Sequence, residues 1–433
     1  MEFPDTLEAW LTYIERLHPR PVDLGLGRVR AVAQRLHAAL DATKIVVGGT
    51  NGKGSTCAML EAIFRAAGYR VGRYSSPHLL RFNERVRVNG EVASDSELMA
   101  QFENVERARG SITLTYFEFT TLATLTWFSQ QRLDAVILEV GLGGRLDAVN
   151  IVDADCSIVT TVDLDHIDLL GPTREDIGRE KAHIFRALRP AICVDPDPPQ
   201  SLIEYARQIG AQLWAFGHEF RIESPPDPQS SRQWNYLGRK TDRMALPWPA
   251  LRGAHQLRNA AGALAAAEAL EPVLPVDQQA IRRGLVNVQL PGRFQVVAGR
   301  PVLVLDVAHN PHAARAFAQA LKAHQSVARL RGATRAVFGM LRDKDVAAVV
   351  RALCEQVDHW HLVPTAGERG LAADRLDAIG FAELAASART HHDSVAAALD
   401  EAMAQASSDD RIVVFGSFVI VADALRWLER RPR

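Results

Sequence analysis

Residues 44–67 read KIVVGGTNGKGSTCAMLEAIFRAA. Lys44–Gly49 is a short apolar run of strand character, and Ser55–Ala67 has the composition of a helix, stopped by Gly68. Between them lies Gly49-Thr50-Asn51-Gly52-Lys53-Gly54-Ser55-Thr56. Glycines let the backbone turn tightly and aim successive N–H groups at phosphate oxygens. The start of a helix adds partial positive charge, and Lys53 adds a full one. Strand, Gly-rich turn and helix in that order make a phosphate loop, so ATP is the expected ligand. The general pattern puts Ser or Thr directly after Lys, where the hydroxyl reaches Mg²⁺. Here Gly54 intervenes. Either Ser55 or Thr56 takes that role, or another residue helps hold the metal.

Outward from this stretch the alternation repeats. Asp134–Val140 (DAVILEV) and Cys156–Val162 (CSIVTTV) are continuous β-branched runs, suited to strands buried on both faces. Helical segments near 115–131 and 174–188 flank them, and the first 43 residues read as helical, with Trp10, Tyr13, Ile14 and Leu17 at helical spacing. The pattern predicts an α/β fold, a P-loop doubly wound parallel sheet. From about 217 to 250, Pro, Ser and charges predict strands and loops instead. Two Ala-rich helices follow, around 255–270 and 276–287, and then Leu290-Pro291-Gly292-Arg293, read as a hinge. Alternation restarts in PVLVLD (301–306), a helix after Pro311, RAVFG (335–339), WHLVP (360–364) and RIVVFG (411–416). A smaller Rossmann-like α/β domain is expected there, giving domains of 1–293 and 294–433.

With 433 residues, 47% hydrophobic and 23% charged, the chain has the profile of a soluble globular protein. A net charge of −1 supplies no bulk attraction to nucleic acid or anionic membrane, so anionic ligands need local sites. Cys57, Cys156, Cys193 and Cys354 lie far apart without a C-x-x-C pair, which predicts buried thiols in a reducing compartment. The N-terminus carries acids and no basic-then-apolar signal, and no apolar run is long enough to span a bilayer. A cytoplasmic protein is expected.

The loop G-T-N-G-K-G-S resembles that of the folylpolyglutamate synthase/dihydrofolate synthase family, relatives of the Mur ligases. Further segments match in the family's order: SSPHLLRFNERVRVNG (75–90), TYFEFTTLA (115–123), LEVGLGGRLDAVN (138–150), DHIDLLGPTREDIGREKAHIF (165–185), HQLRNA (255–260), LPGRF (290–294), DVAHNP (306–311) and VFGSF (414–418). Mur ligases place a UDP-sugar domain before the loop. Only 48 residues precede Gly49 here, too few for such a domain, so the cell-wall reading is disfavoured.

The resemblance implies roles at matching positions. Asn51, Gly52, Lys53, Gly54 and Ser55 would cradle phosphates, with Asn259 at the adenine and Arg293 and Asp306 as further ATP contacts. Ser76, Glu139 and His166 would hold Mg²⁺, for which oxygen ligands are the natural choice. By itself His166 reads equally as a hydrogen-bonded loop histidine. Lys181, beside Arg179 and Glu180, reads as a solvated charged face, whereas the family's lysine there is carbamylated. Thr115, Tyr116, Phe117 and Glu118 would bind a pterin, by stacking and by paired hydrogen bonds to the carboxylate. The same residues read otherwise as an aromatic helix face in the core. Leu146, Asp147 and Ala148 resemble a second part of that pocket, and Arg85 a catalytic or phosphate-facing arginine. His309 resembles a catalytic residue and Ser417 a glutamate ligand; helix-cap or loop roles fit both as well.

The activity so implied is ATP-dependent ligation of L-glutamate to 7,8-dihydropteroate and to tetrahydrofolates, through an acyl phosphate, by a monomer with no nucleic-acid or membrane partner. ATP and substrates are expected to be sealed from water by closure at the hinge. The alternatives are folylpolyglutamate synthase activity only, a P-loop small-molecule kinase, and a non-enzymatic nucleotide switch.

Overall fold

The computed structural model describes residues 3–223, 233–328, 330–382 and 388–431. Two compact units are present. The first comprises Met1–His78, Phe82–Ala250 and Leu257–Val288; the second comprises Leu79–Arg81, Leu251–Gln256 and Gln289–Arg433.

The first unit is built on an eight-stranded sheet. Its strands are β1 (Thr43–Gly48), β2 (Val71–Tyr74), β3 (Val86–Val88), β4 (Glu91–Val92), β5 (Ala135–Glu139), β6 (Cys156–Val159), β7 (Pro190–Cys193) and β8 (Gln212–Ala215). They lie in the order β4-β3-β2-β5-β1-β6-β7-β8. The strands from β2 to β8 in that order pair in parallel, and every residue of β5 is buried, as its apolar run requires. β3 and β4 extend the edge antiparallel through a hairpin. Asn89 and Gly90 form its turn with φ of 52° and 84°, the positive pair a tight two-residue hairpin needs.

The connection from β1 leads toward β2 on one side, and that from β6 toward β7 on the other. Their carboxyl ends therefore border the switch point where open α/β sheets bind ligands. Register places Glu139 beside Val47, and Val159 beside Gly48, so the exits of β5, β1 and β6 are neighbours.

The helical N-terminal stretch resolves into two helices, Leu7–Glu15 and Gly27–Leu36. Trp10 and Ile14 are fully buried, and Trp10 meets Phe102 and Phe119 edge-on or tilted. Leu17 falls just beyond the first helix, whose cap is Arg16. The helix expected over 174–188 is shorter, Arg174–Ala182. Beyond it Arg186 is tied to the Asn150 and Val152 carbonyls, and Leu188 takes a φ of 60°, which ends regular winding. Helices His255–Ala269 and Gln278–Asn287 match the Ala-rich pair. A small antiparallel sheet, in the order β11-β10-β9, holds β9 (Arg221–Glu223), β10 (Gln233–Leu237) and β11 (Arg243–Pro247); residues 224–232 lie outside the described residues.

The second unit has a six-stranded sheet of β12 (Gln295–Val297), β13 (Val302–Leu305), β14 (Thr334–Phe338), β15 (His359–Leu362), β16 (Ala388–His391) and β17 (Arg411–Phe415). The order is β12-β13-β17-β14-β15-β16, with β12 antiparallel and the remainder parallel. One face packs Phe317, Phe338, Trp360 and Phe415; the other packs Leu305, Val337, Val414 and Ile420. Among the described residues no helix is long and apolar enough to cross a membrane. Cys57, Cys156 and Cys193 are buried and unbonded, but Cys354 is only half-buried, with its thiol on the Arg351 carbonyl at 3.2 Å. It ends the Val346–Leu353 helix at the rim of its unit, so burial holds for three of the four thiols.

Candidate active site

The loop after β1 turns at Gly49 and Gly52, with φ of 140° and 91°. A Cβ at 49 would overlap the Thr160 hydroxyl, and one at 52 would meet Asn259 Oδ1. Glycine is required at both places. The helix Lys53–Ala66 begins at Gly52, which has no side chain to cap it, and its positive end faces the loop.

The exit of β6 laces this loop in place. Thr50 N donates to Thr161 O at 2.7 Å, Asn51 N to Thr161 Oγ1 at 3.1 Å, and Thr160 Oγ1 to Asn51 O at 2.7 Å. Lys53 Nζ curls back onto the carbonyls of Gly49 (2.9 Å) and Thr50 (3.2 Å). Ser55 and Thr56 are both buried, and the Thr56 hydroxyl has no hydrogen-bond partner among the described residues.

Glu139 ends β5 with 4% exposure and accepts the Ser76 backbone N–H at 3.3 Å. Two of the three expected metal residues are thus together. His166 stands in the loop after β6 at a φ of 52°, its side chain 38% exposed and Nε2 3.8 Å from Asp165.

Lys181 corrects the solvated-face reading. It is 4% exposed, because the turn after β5 packs on its helix, with Arg145 N donating to Glu180 O at 3.0 Å. Burial, with the Lys53 charge adding to it, pushes the amine down to about 7, against the opposing pull of Asp165, Asp147 and Glu180.

Glu118 is held by partners within the protein. Thr115 and Glu118 form a capping box at the start of helix Tyr116–Ser129, and Glu118 Oε2 accepts Thr115 N at 2.8 Å. Arg28 donates to Oε1 at 2.9 Å and to Oε2 at 3.3 Å. Three acceptor positions of a carboxylate that is 4% exposed are therefore used within the protein. Thr115, likewise buried, serves as the cap.

Tyr116 and Phe117 are half-buried. Phe117 stacks on Tyr74 at 6.0 Å and lies over Gly141. Tyr116 meets Phe82 edge-on and carries the Arg85 guanidinium 5.5 Å above its ring; burial pushes its hydroxyl up to about 12. Arg85 Nε donates to His78 Nδ1 at 2.9 Å.

Leu146 lines a cleft of about 480 Å³ with Leu26, Arg30, Asn150, Ile151 and Arg186 among its walls. Asp147 and Ala148 are buried and do not line it. Asp147 instead fixes the turn, accepting Leu142 N at 2.8 Å and Val149 N at 3.0 Å. Burial raises its carboxyl to about 6, with those backbone hydrogen bonds opposing.

Within the second unit, Asp306 braces the chain around Arg293, accepting Phe294 N and Ala308 N, each at 2.8 Å. Burial raises its carboxyl and the Arg293 charge opposes the rise. The Arg293 guanidinium lies 5.4 Å over Phe418. His309 Nδ1 faces the Val307 carbonyl at 2.8 Å, so that nitrogen carries a proton. Ser417 caps helix Phe418–Glu429, accepting Ile420 N at 3.2 Å, and is 3% exposed. Of its two readings the cap is the one realised.

Sequence reasoning passed over Thr160, Thr161 and Arg28. The first pair carried a signal, two adjacent hydroxyls directly after the apolar Ile158-Val159. Arg28 carried none, since its partner lies 90 positions away.

The Mur ligase middle domain family matches residues 47–267, and the Mur ligase, glutamate ligase domain family matches residues 292–418. The dihydrofolate synthase/folylpolyglutamate synthase of Escherichia coli is 46% identical over 98% of this chain and 96% of its own; that of Haemophilus influenzae is 39% identical over 96% of each. Among solved structures, E. coli FolC in complex with DHPP and ADP superposes with a TM-score of 0.91 at 46% identity, covering 98% of both chains. A bifunctional folylpolyglutamate synthase/dihydrofolate synthase with Mn, AMPPNP and L-glutamate bound gives 0.88 at 46% identity, again over 98% of both.

Proposed function

The chain belongs to the dihydrofolate synthase/folylpolyglutamate synthase family of Mur ligases, and from that premise we propose how its residues join L-glutamate to a pterin-bearing carboxylate. It is an ATP-dependent carboxylate–amine ligase. Its acceptors are dihydropteroate, giving dihydrofolate, and tetrahydrofolates, giving chains one glutamate longer. The first unit takes nucleotide and pterin, and the second takes glutamate. One observation carries the reading: a Gly-rich turn running into a helix start at the β1/β6 switch point, with the Glu139 carboxylate at the end of the strand beside β1.

The ATP γ-phosphoryl passes to the substrate carboxylate, giving an acyl phosphate and ADP. The neutral amine of glutamate attacks the acyl carbon, phosphate leaves, and an amide forms. Lys53 moves from the loop carbonyls to the phosphates and, with Asn51, Gly54, Ser55 and the positive end of the helix, stabilises charge on the transferring group. Asn259, against Gly52, orients the nucleotide, and Arg293 and Asp306 complete its contacts. Tyr116, Phe117 and the Leu146 cleft take the aromatic acid, and Arg85 holds its carboxylate end. We assign His309 to the proton that the attacking amine sheds.

The donors suit Mg²⁺. Glu139 offers a carboxylate at the strand end beside the nucleotide loop, and oxygen is the ligand this ion prefers. Glu139, Ser76 and His166 would hold it, and when bound it neutralises phosphate charge. An amine held near neutrality is the form that adds CO₂, which supports carbamylation of Lys181 and an anion in its place. Unbonded thiols fit the cytosol.

The test is purified protein with ATP, Mg²⁺ and labelled glutamate, offered dihydropteroate and tetrahydrofolate in parallel. Label should enter both products, and ADP release should require glutamate. ADP released equally without glutamate would make it a kinase instead.

A further inference from the structure

The second unit holds a cluster of imidazoles that the ligase reaction does not use. β15 alternates, so His359 and His361 share one face, and β16 pairs Thr390 opposite His361. His392 follows two residues on, its backbone N–H on Leu362 O at 3.0 Å. Helix Val395–Gln405 brings Glu401 to the same place.

The donor atoms converge. His361 Nδ1 and His392 Nε2 are 3.0 Å apart, and Thr390 Oγ1 lies 3.2 Å from the first and 3.0 Å from the second. Ligand atoms around a tetrahedral ion with bonds of about 2.0–2.1 Å stand about 3.3 Å apart, so the two imidazoles are near ligand spacing, with the Thr390 hydroxyl hydrogen-bonded between them. Glu401 Oε1 accepts Gln405 Nε2 at 2.8 Å, while Oε2 lies 3.8 Å from His392 Nδ1. One ligand atom each from His361, His392 and Glu401 lies within 4.8 Å of the others.

Burial decides which chemistry is available. His361 is fully buried, and the His392 side chain is 6% exposed. Desolvation, then the neighbouring His359, His392 and Arg335, pushes His361 down to about 3, so its ring stays neutral and can offer a lone pair. Glu401, 41% exposed, gives charge and a route from solvent. Nitrogen donors of this kind suit borderline ions and disfavour Mg²⁺.

We propose that His361, His392 and Glu401 form a binding site for a divalent transition-metal ion, Zn²⁺ in the first instance, separate from the nucleotide's cation. The test uses untagged, chelator-stripped full-length protein in Mg²⁺ buffer. Zn²⁺ is titrated against a chromophoric competitor, and Co²⁺ is added to a second sample for its visible spectrum. One equivalent of Zn²⁺ and a tetrahedral Co²⁺ spectrum are expected. His392→Ala removes both, and Glu401→Gln weakens affinity by about tenfold or more. Glu401 is half-exposed on a helix, so its variant decides the matter if His392→Ala fails to fold. Glu139→Gln keeps the equivalent, because it alters only the other site. The proposal is overturned if the wild type does not compete for Zn²⁺, if Glu401→Gln binds as tightly as wild type, or if Glu139→Gln is the variant that loses the ion.

Discussion

Asn259 Oδ1 lies 2.5 Å from the point where a Cβ on Gly52 would stand. Helix His255–Ala269 thereby closes over the nucleotide loop, and residue 52 must also hold a φ of 91°. Gly52→Ala meets both obstacles, a left-handed strain of about 1–3 kcal/mol and a displaced carboxamide. ATP affinity should fall by about tenfold or more. Calorimetric titration of both proteins checks this, and equal affinities would remove the pair from the nucleotide site.

Lys53→Ala should leave the fold intact, because its ammonium is half-buried at the loop and holds the Gly49 and Thr50 carbonyls rather than core residues. Ligation should drop by at least about 10²–10³-fold. Ligation at the normal rate would reject the assigned loop.

Glu118→Gln separates an architectural carboxylate from a ligand-binding one. The amide nitrogen cannot accept, so Arg28 or Thr115 N loses its partner. Arg28 keeps some solvent access, which reduces the cost to about 1–3 kcal/mol. Urea unfolding should record that loss while KM for dihydropteroate stays within about twofold. Unchanged stability with a raised KM would restore the pterin contact.

Lys181 makes stability depend on pH. Its amine falls to about 7 when folded, against 10.5 in the unfolded chain. Between those values the unfolded state binds more protons, so stability rises with pH across the window. The penalty is full below about 7 and gone above about 10.5. In CO₂-free buffer, Lys181→Met should therefore melt above wild type at and below neutrality, with the gap narrowing as pH rises. A gap independent of pH would contradict the burial argument. With ¹³C-labelled bicarbonate, wild type should show a carbamate resonance that the variant lacks.

Ser417→Ala should cost about 1 kcal/mol, the usual loss of a helix cap, with KM for glutamate unchanged. A KM effect without destabilisation would return Ser417 to the substrate.

What the sequence disclosed was local. The nucleotide loop and the runs of β1, β5 and β6 carry their chemistry in consecutive residues. Strands β3 and β4, of three and two residues, are too short for periodicity to register, although Asn89-Gly90 announced their turn. Thr115-x-x-Glu118 likewise matches the capping-box spacing, but the aromatic pair between drew attention to a ligand. Lys181 among charged neighbours looked solvated; only the packed turn of Arg145 on Glu180 reveals its burial. Contacts set by distant segments, such as Arg28 with Glu118, leave no local trace.

Strand β5 lies between β2 and β1 although it is synthesised after both. A chain emerging from the ribosome thus carries a gap one strand wide, with two open edges, until Glu139 has left the exit tunnel. Open edges invite pairing with other chains. Fragments ending before Ala135 should aggregate rather than form a smaller working enzyme, and the carboxylate assigned to the metal is delivered by the same segment that closes the gap.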